Sequence, residues 1–102
     1  MIFEVQREGD RVVVATRGDV VASGASELRP ALCDLVRSGV RNLVIDLSAT
    51  TMVDSSGLGL LLSAFNSVRA VGGAFSVVNA SPELLDLFRT LRINQHFPVS
   101  GS

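Results

Sequence analysis

The sequence predicts an α/β domain with an opening antiparallel hairpin, then β-α units giving a mostly parallel central sheet covered by helices. Three observations lead there. Two strand-like segments near the start are separated by turn residues. Beyond them, β-rich runs alternate with apolar residues at helical spacing. The run Asn42 to Leu47 is almost continuously apolar, as in a strand buried on both faces of a parallel sheet.

Ile2-Phe3-Glu4-Val5-Gln6 alternates apolar and polar residues, which suits a strand with one wet face. Arg11-Val12-Val13-Val14-Ala15-Thr16 is β-branched and reads as a more buried strand. Glu8-Gly9-Asp10 supplies the turn between them, and Gly18-Asp19 ends the second strand. Ser23 or Ser26 can cap a helix whose apolar positions are Leu28, Leu32, Leu35 and Val36, with Gly39 to end it. Pro30 fits only a first turn, so a late start near Ser26, or a kink, is expected.

After the Asn42–Leu47 strand, a second helix starts within Asp54-Ser55-Ser56 and runs to about Val71, stopped by Gly72-Gly73. Its apolar stripe is Leu58, Leu61, Phe65 and Val68. Ala74 to Asn79 is the next strand. Ser81-Pro82-Glu83 then starts a helix whose buried face is Leu84, Leu87, Phe88 and Leu91. Phe97-Pro98-Val99 is a short edge strand. The 102 residues contain no linker, repeat or low-complexity segment and suit one domain, 1–102, with one modest core.

The composition excludes several function classes. The net charge of −1 and the lack of a basic stripe argue against nucleic acid as a partner. Lysine is missing altogether, which removes a P-loop lysine and Schiff-base chemistry. No apolar run approaches the roughly 18 residues of a membrane helix, so no membrane insertion is expected. Cys33 is alone, fitting a reducing cytoplasm, and one Cys with one His96 makes no zinc site. The serines lack a Gly-x-Ser-x-Gly elbow, and His96, beside Phe97, reads as a surface or edge residue. Asp46, near the end of a buried strand, invites comparison with a phospho-aspartate receiver. That chemistry needs further acidic ligands and a lysine, so Asp46 reads instead as an acceptor of backbone N–H bonds in the loop near Asp54. No enzyme activity, metal or cofactor is expected.

The informative stretch is Thr50 to Leu62. Asp54, Ser55 and Ser56 are helix-capping types, because their side-chain oxygens accept from the unpaired N–H groups of a first turn. A cap alone would explain them. The duplicated serines and the glycines Gly57 and Gly59 ask for more, since each glycine costs a helix about 1 kcal/mol relative to alanine. Glycine there strips side chains from the surface, as close approach by another molecule requires.

Asp54-Ser55-Ser56-Gly57-Leu58-Gly59, after the strand Leu43-Val44-Ile45-Asp46-Leu47, resembles the signature of bacterial anti-sigma factor antagonists, of the STAS domain family. The likeness extends from about Ile2 to Val99. It implies phosphorylation at Ser55 by a partner that is both anti-sigma factor and serine kinase, with ATP or ADP bound to that partner. Unmodified Ser55 would lie in the contact; phosphate there would release the partner and a phosphatase would reset the cycle. The implied protein is cytoplasmic, a monomer or weak dimer, and contacts its partner through Asp19, Val21, Asp54, Ser56, Gly57, Gly59 and Leu60. Leu60 lies off the apolar stripe. It is either exposed toward the partner or buried in a helix covered on two sides.

Two departures from the family are visible. The loop after its second strand often reads Gly-Glu-Leu-Asp; here Gly18-Asp19-Val20-Val21 puts Val21 at the aspartate position, with Asp19 as a partial substitute. The family also continues into a further helix after the last strand, and this chain stops at Ser102, so some bare apolar surface is expected. The runner-up reading is a phosphorylation-independent STAS scaffold, in a stress-signalling assembly or a transporter complex. A weaker one is a small-ligand binder using the helix N-terminus as an anion site.

Overall fold

A computed structural model describes residues 3–101. In chain order the elements are β1 (Phe3–Glu8), β2 (Arg11–Thr16), α1 (Ala22–Arg37), β3 (Asn42–Asp46), α2 (Ser55–Ala70), β4 (Ala74–Ala80), α3 (Pro82–Thr90) and β5 (Val99–Gly101). A single 3-10 turn, Ile93–Gln95, joins α3 to β5. The five strands form one sheet in the order β1-β2-β3-β4-β5; β1 is antiparallel to β2 and the other pairs are parallel. Each parallel connection steps to the next strand in the same direction. Right-handed crossovers then put all three helices on one face.

The hairpin forms as expected, with Gly9 at φ 68° in the turn. Ile2 lies outside the described residues. Paired positions place Val12, Leu43 and Phe75 in one row and Val14, Ile45 and Val77 in the next. All six are buried in the core with Leu28, Leu32, Leu61, Val68, Leu84 and Phe88 of the helices. Val44 lies on the other side of β3 in a row with Val13 and Ser76, and is buried outside that core.

Local signals set α3 as read. The Ser81 hydroxyl accepts from the Leu84 N–H at 3.2 Å, Pro82 opens the helix and Glu83 sits in its first turn. Leu84 and Phe88 are buried and Leu87 half-buried, whereas Leu91, at the helix end, is exposed. The final strand is displaced from the expected one: Phe97 goes into the core against Phe65 and Phe75, and pairing begins at Val99. His96 is exposed, as its sequence context suggested.

The late start expected for α1 does not occur. The helix begins at Ala22 and carries Pro30 in its interior. Proline there costs roughly 3 kcal/mol and frees the carbonyl of Ser26. Both residues are exposed, so water can serve that carbonyl. The continuous buried stripe Gly24, Ala25, Leu28, Leu32 and Leu35 supplies the compensating burial. Gly39, at φ 93°, follows the helix.

The buried face of α2 is rotated from the expected stripe. Gly57, Leu60, Leu61, Ala64 and Val68 are buried; Leu58 and Phe65 are half-buried. The helix is covered both by the sheet and by α1, and Leu60 and Ala64 line the seam opposite Leu32 and Val36. Leu60 is 2% exposed. Of its two sequence readings the buried one holds, so Leu60 offers no surface for a partner.

Candidate functional site

Parallel strands bring the loops after β2 and β3 to the same end of the sheet, where α1 and α2 begin side by side. Backbone bonds fuse the two loops. The Val20 N–H donates to the Met52 carbonyl at 2.9 Å, and the Asp54 N–H to the Val20 carbonyl at 3.3 Å, with Val20 and Val53 in an isolated parallel bridge. Both valines are buried.

Side chains tighten this junction from three directions. Beneath it, the buried Thr16 and Thr50 hydroxyls bond to each other, and Thr50 Oγ1 lies 2.8 Å from the Gly18 carbonyl. Thr16 Oγ1 is 3.3 Å from the Asp46 carbonyl. Two hydroxyl protons serve these contacts, so Thr16 donates to Thr50 and Thr50 to Gly18, leaving the long contact weak. Outside it, Asp19 Oδ1 accepts from Thr51 Oγ1 at 2.8 Å, the Met52 N–H at 3.1 Å and the Thr51 N–H at 3.2 Å. The Thr51 hydroxyl first, and then the Thr51 N–H, hold the Asp19 carboxyl below its usual range; desolvation opposes them, and the Met52 N–H adds the least.

Asp54 is the third tie. Its Oδ1 accepts from the Gly57 N–H at 2.9 Å and so caps α2, as the sequence indicated. Its Oδ2 accepts from the Ala22 N–H at 3.3 Å, the first amide of α1. Val21, at the cap position of α1, has no capping side chain, so the cap comes from the neighbouring loop. Two helix N-termini thus share one carboxylate.

On this platform Ser55 and Ser56 occupy the first turn of α2 and are exposed. Gly59, one turn on, is also exposed, and a Cβ there would meet nothing within 4 Å. The surface beside Ser55 is bare where the sequence suggested it. Gly57 serves another purpose. A Cβ on it would fall 2.1 Å from the Val20 carbonyl oxygen and 2.9 Å from Val53 Cγ1, so the close approach it permits is internal. Its expected role as a partner contact is therefore corrected: it is buried and lets α2 press on the β2 loop.

Asp19, Val21, Asp54, Ser55, Ser56 and Gly59 all gather at this end, whereas Leu60, next to Gly59, is buried in the seam between α1 and α2. Asp46 is a backbone acceptor, as the sequence suggested, taking the Ser48 N–H at 2.8 Å at the start of the loop that leads to Asp54. Partial burial raises its pKa, but the Ser48 N–H and the side chains of Asn79 and Ser48 outweigh that and leave it lowered. Arg17, the basic residue closest in sequence to the β2 loop, pairs with Glu4. Sequence reasoning missed Thr16, Thr50 and the Ala22 amide. The two threonines look like ordinary strand and loop residues, and nothing local marks an amide that is capped from another element.

Comparisons with known proteins fit this geometry. The STAS domain model matches residues 3–102. The anti-sigma-B factor antagonist of Bacillus subtilis is 31% identical over 98 residues, covering 96% of this chain and 89% of that protein. The crystal structure of an anti-sigma factor antagonist from Mycobacterium paratuberculosis superposes with a TM-score of 0.87 at 26% identity, over 98% of this chain and 85% of that one. The phosphorylated form of the Bacillus cell fate determinant SpoIIAA shares the fold, with a TM-score of 0.77 at 20% identity over 95% of this chain and 89% of that one. A family match over nearly the whole sequence, joined to the same fold, places the chain in the STAS domain family, among the anti-sigma factor antagonists.

Proposed function

We propose that the protein is a cytoplasmic anti-sigma factor antagonist whose unmodified form binds an anti-sigma factor that is also a serine kinase, and that phosphate on Ser55 ends the binding. The observation that carries this reading is the setting of Ser55. It is an exposed hydroxyl in the first turn of a helix, on loops fixed by Asp54 and Asp19, beside the bare surface of Gly59. Two relatives add support, one by its name as an antagonist of anti-sigma-B factor and one by occurring in a phosphorylated form.

The chemistry is that of a charge switch. Phosphorylation adds about −1.5 to −2 charges and strong acceptor oxygens. The N-terminus of α2 favours that charge, while the carboxylates of Asp54 and Asp19 oppose it. The loops are already pinned by hydrogen bonds, so the modification alters the contact surface and leaves the fold in place. ATP belongs to the partner, the chain supplies the acceptor hydroxyl, and a separate phosphatase resets it.

Two observations favour the phosphorylation-independent scaffold. Val21 stands where the family often has its interface aspartate, and Asp54 has a full structural role without any modification. Exchanging Ser55 for alanine and for aspartate separates the two readings. Under the switch, Ser55→Ala keeps partner binding under phosphorylating conditions and Ser55→Asp abolishes it. Under the scaffold, both bind alike, and alanine costs little stability, because Asp54 and not Ser55 caps α2.

A further inference from the structure

Four large apolar side chains are exposed among the described residues: Val5, Met52, Val71 and Leu91. Val5 is on the edge strand β1, Val71 follows the far end of α2, and Leu91 follows α3. Met52 alone of the four lies at the end of the sheet that carries Ser55, and at 56% it is the most exposed. Ser55 is only three positions further on, so their Cα atoms are at most roughly 11 Å apart.

Its exposure does not come from a slack loop. The Met52 N–H donates to Asp19 Oδ1 at 3.1 Å, and its carbonyl accepts from Val20 at 2.9 Å. Both flanks are also held, by the bonds from Thr51 to Asp19 and by the bridge of Val53 to Val20. A backbone fixed on both sides presents an unbranched apolar side chain to water, with little loop entropy left to lose on contact. The sulfur-bearing chain fills irregular pockets well. Beside it in the joined loops, Asp19 takes all three of its bonds on Oδ1, so Oδ2 has no hydrogen bond within the described residues, and the residue is exposed.

We propose that Met52 is the apolar anchor of the partner interface, inserted in a hydrophobic pocket of the kinase-type anti-sigma factor that has a basic group on its rim facing Asp19. This rests on the functional reading above and deepens it: Ser55 supplies the switch and Met52 the affinity.

The probe is the serine kinase purified from the native cells by its ATP-dependent phosphorylation of Ser55. Met52→Gln keeps length and removes apolarity; Met52→Leu keeps apolarity. The glutamine variant should raise KM for Ser55 phosphorylation roughly tenfold or more with kcat little changed, as loss of an anchor does. The leucine variant should behave like the original. In the unsubstituted protein, peroxide should convert Met52 to its sulfoxide when the chain is free and should be blocked in the complex, with an added methionine peptide as reference. A kinase acting equally on all three proteins, or a Met52 oxidised as fast in the complex as alone, overturns the proposal and leaves the switch standing. An extract with no activity on Ser55 overturns both.

Discussion

Asp54 Oδ2 lies 3.3 Å from the backbone nitrogen of Ala22, 32 positions earlier in the chain. Its other oxygen holds Gly57 at 2.9 Å, so one carboxylate closes the first turns of both helices that flank the candidate site. Asp54→Ala should therefore cost more than a single cap, about 2 kcal/mol, against about 1 kcal/mol for an ordinary N-cap. Denaturant melts measure the total. Amide exchange locates it: both Ala22 and Gly57 should lose protection. Faster exchange at Gly57 alone would limit Asp54 to α2.

The two glycines of the motif should respond in opposite directions to the same change. Gly57→Ala drives a methyl into the Val20 carbonyl, which is backbone and cannot swing away, and should destabilise by at least about 2 kcal/mol. Gly59→Ala meets open space inside a helix and should stabilise by roughly 0.8 kcal/mol. Thermal melts of the pair decide this; two losses of equal size would contradict it.

Acid should loosen the junction. The folded pKa of Asp19 is lowered, so its contribution is complete above the ordinary carboxylate value near pH 4 and is lost as pH falls through the folded value. Asp46 acts in the same sense. Asp19→Asn should then be less stable than the original protein at pH 7, and the difference should shrink by pH 3. A gap that stays constant between the two pH values would remove Asp19 from the clamp.

The buried threonine pair offers a coupling measurement. Thr50→Val leaves the Gly18 carbonyl and the Thr16 hydroxyl without this partner, which should cost about 1–3 kcal/mol. Adding Thr16→Val removes one of those stranded groups, so the double variant should lose less than the two single losses combined. Strict additivity would show that the hydroxyls do not act as a chain.

What the sequence disclosed and what it withheld divide by distance along the chain. The hairpin turn at Gly9, the Ser81-Pro82 start of α3 and the Asp54 cap of α2 are each written within a few residues, and they form as read. The ties that shape the site join residues 32 or 33 positions apart: Asp54 to Ala22, Asp19 to Met52 and Thr50 to Gly18. No local pattern encodes them. The early start of α1 has no local signal for the same reason, because its cap sits in another loop. Helical periodicity names one buried face, whereas α2 is covered by both the sheet and α1, so the sequence leaves Leu60 open between two readings and puts Gly57 at the partner contact. The family signature made Ser55 conspicuous. Met52 carries no motif, and its exposure became visible only in the fold.

The central claim is a phosphate on Ser55. Intact mass with site mapping, on protein purified from its native cells with and without phosphatase treatment, tests it most directly. A phosphatase-sensitive gain of one phosphate is expected, mapped to Ser55 and not to Ser56. A chain that stays unmodified at Ser55 through growth and stress would contradict the switch and leave the scaffold.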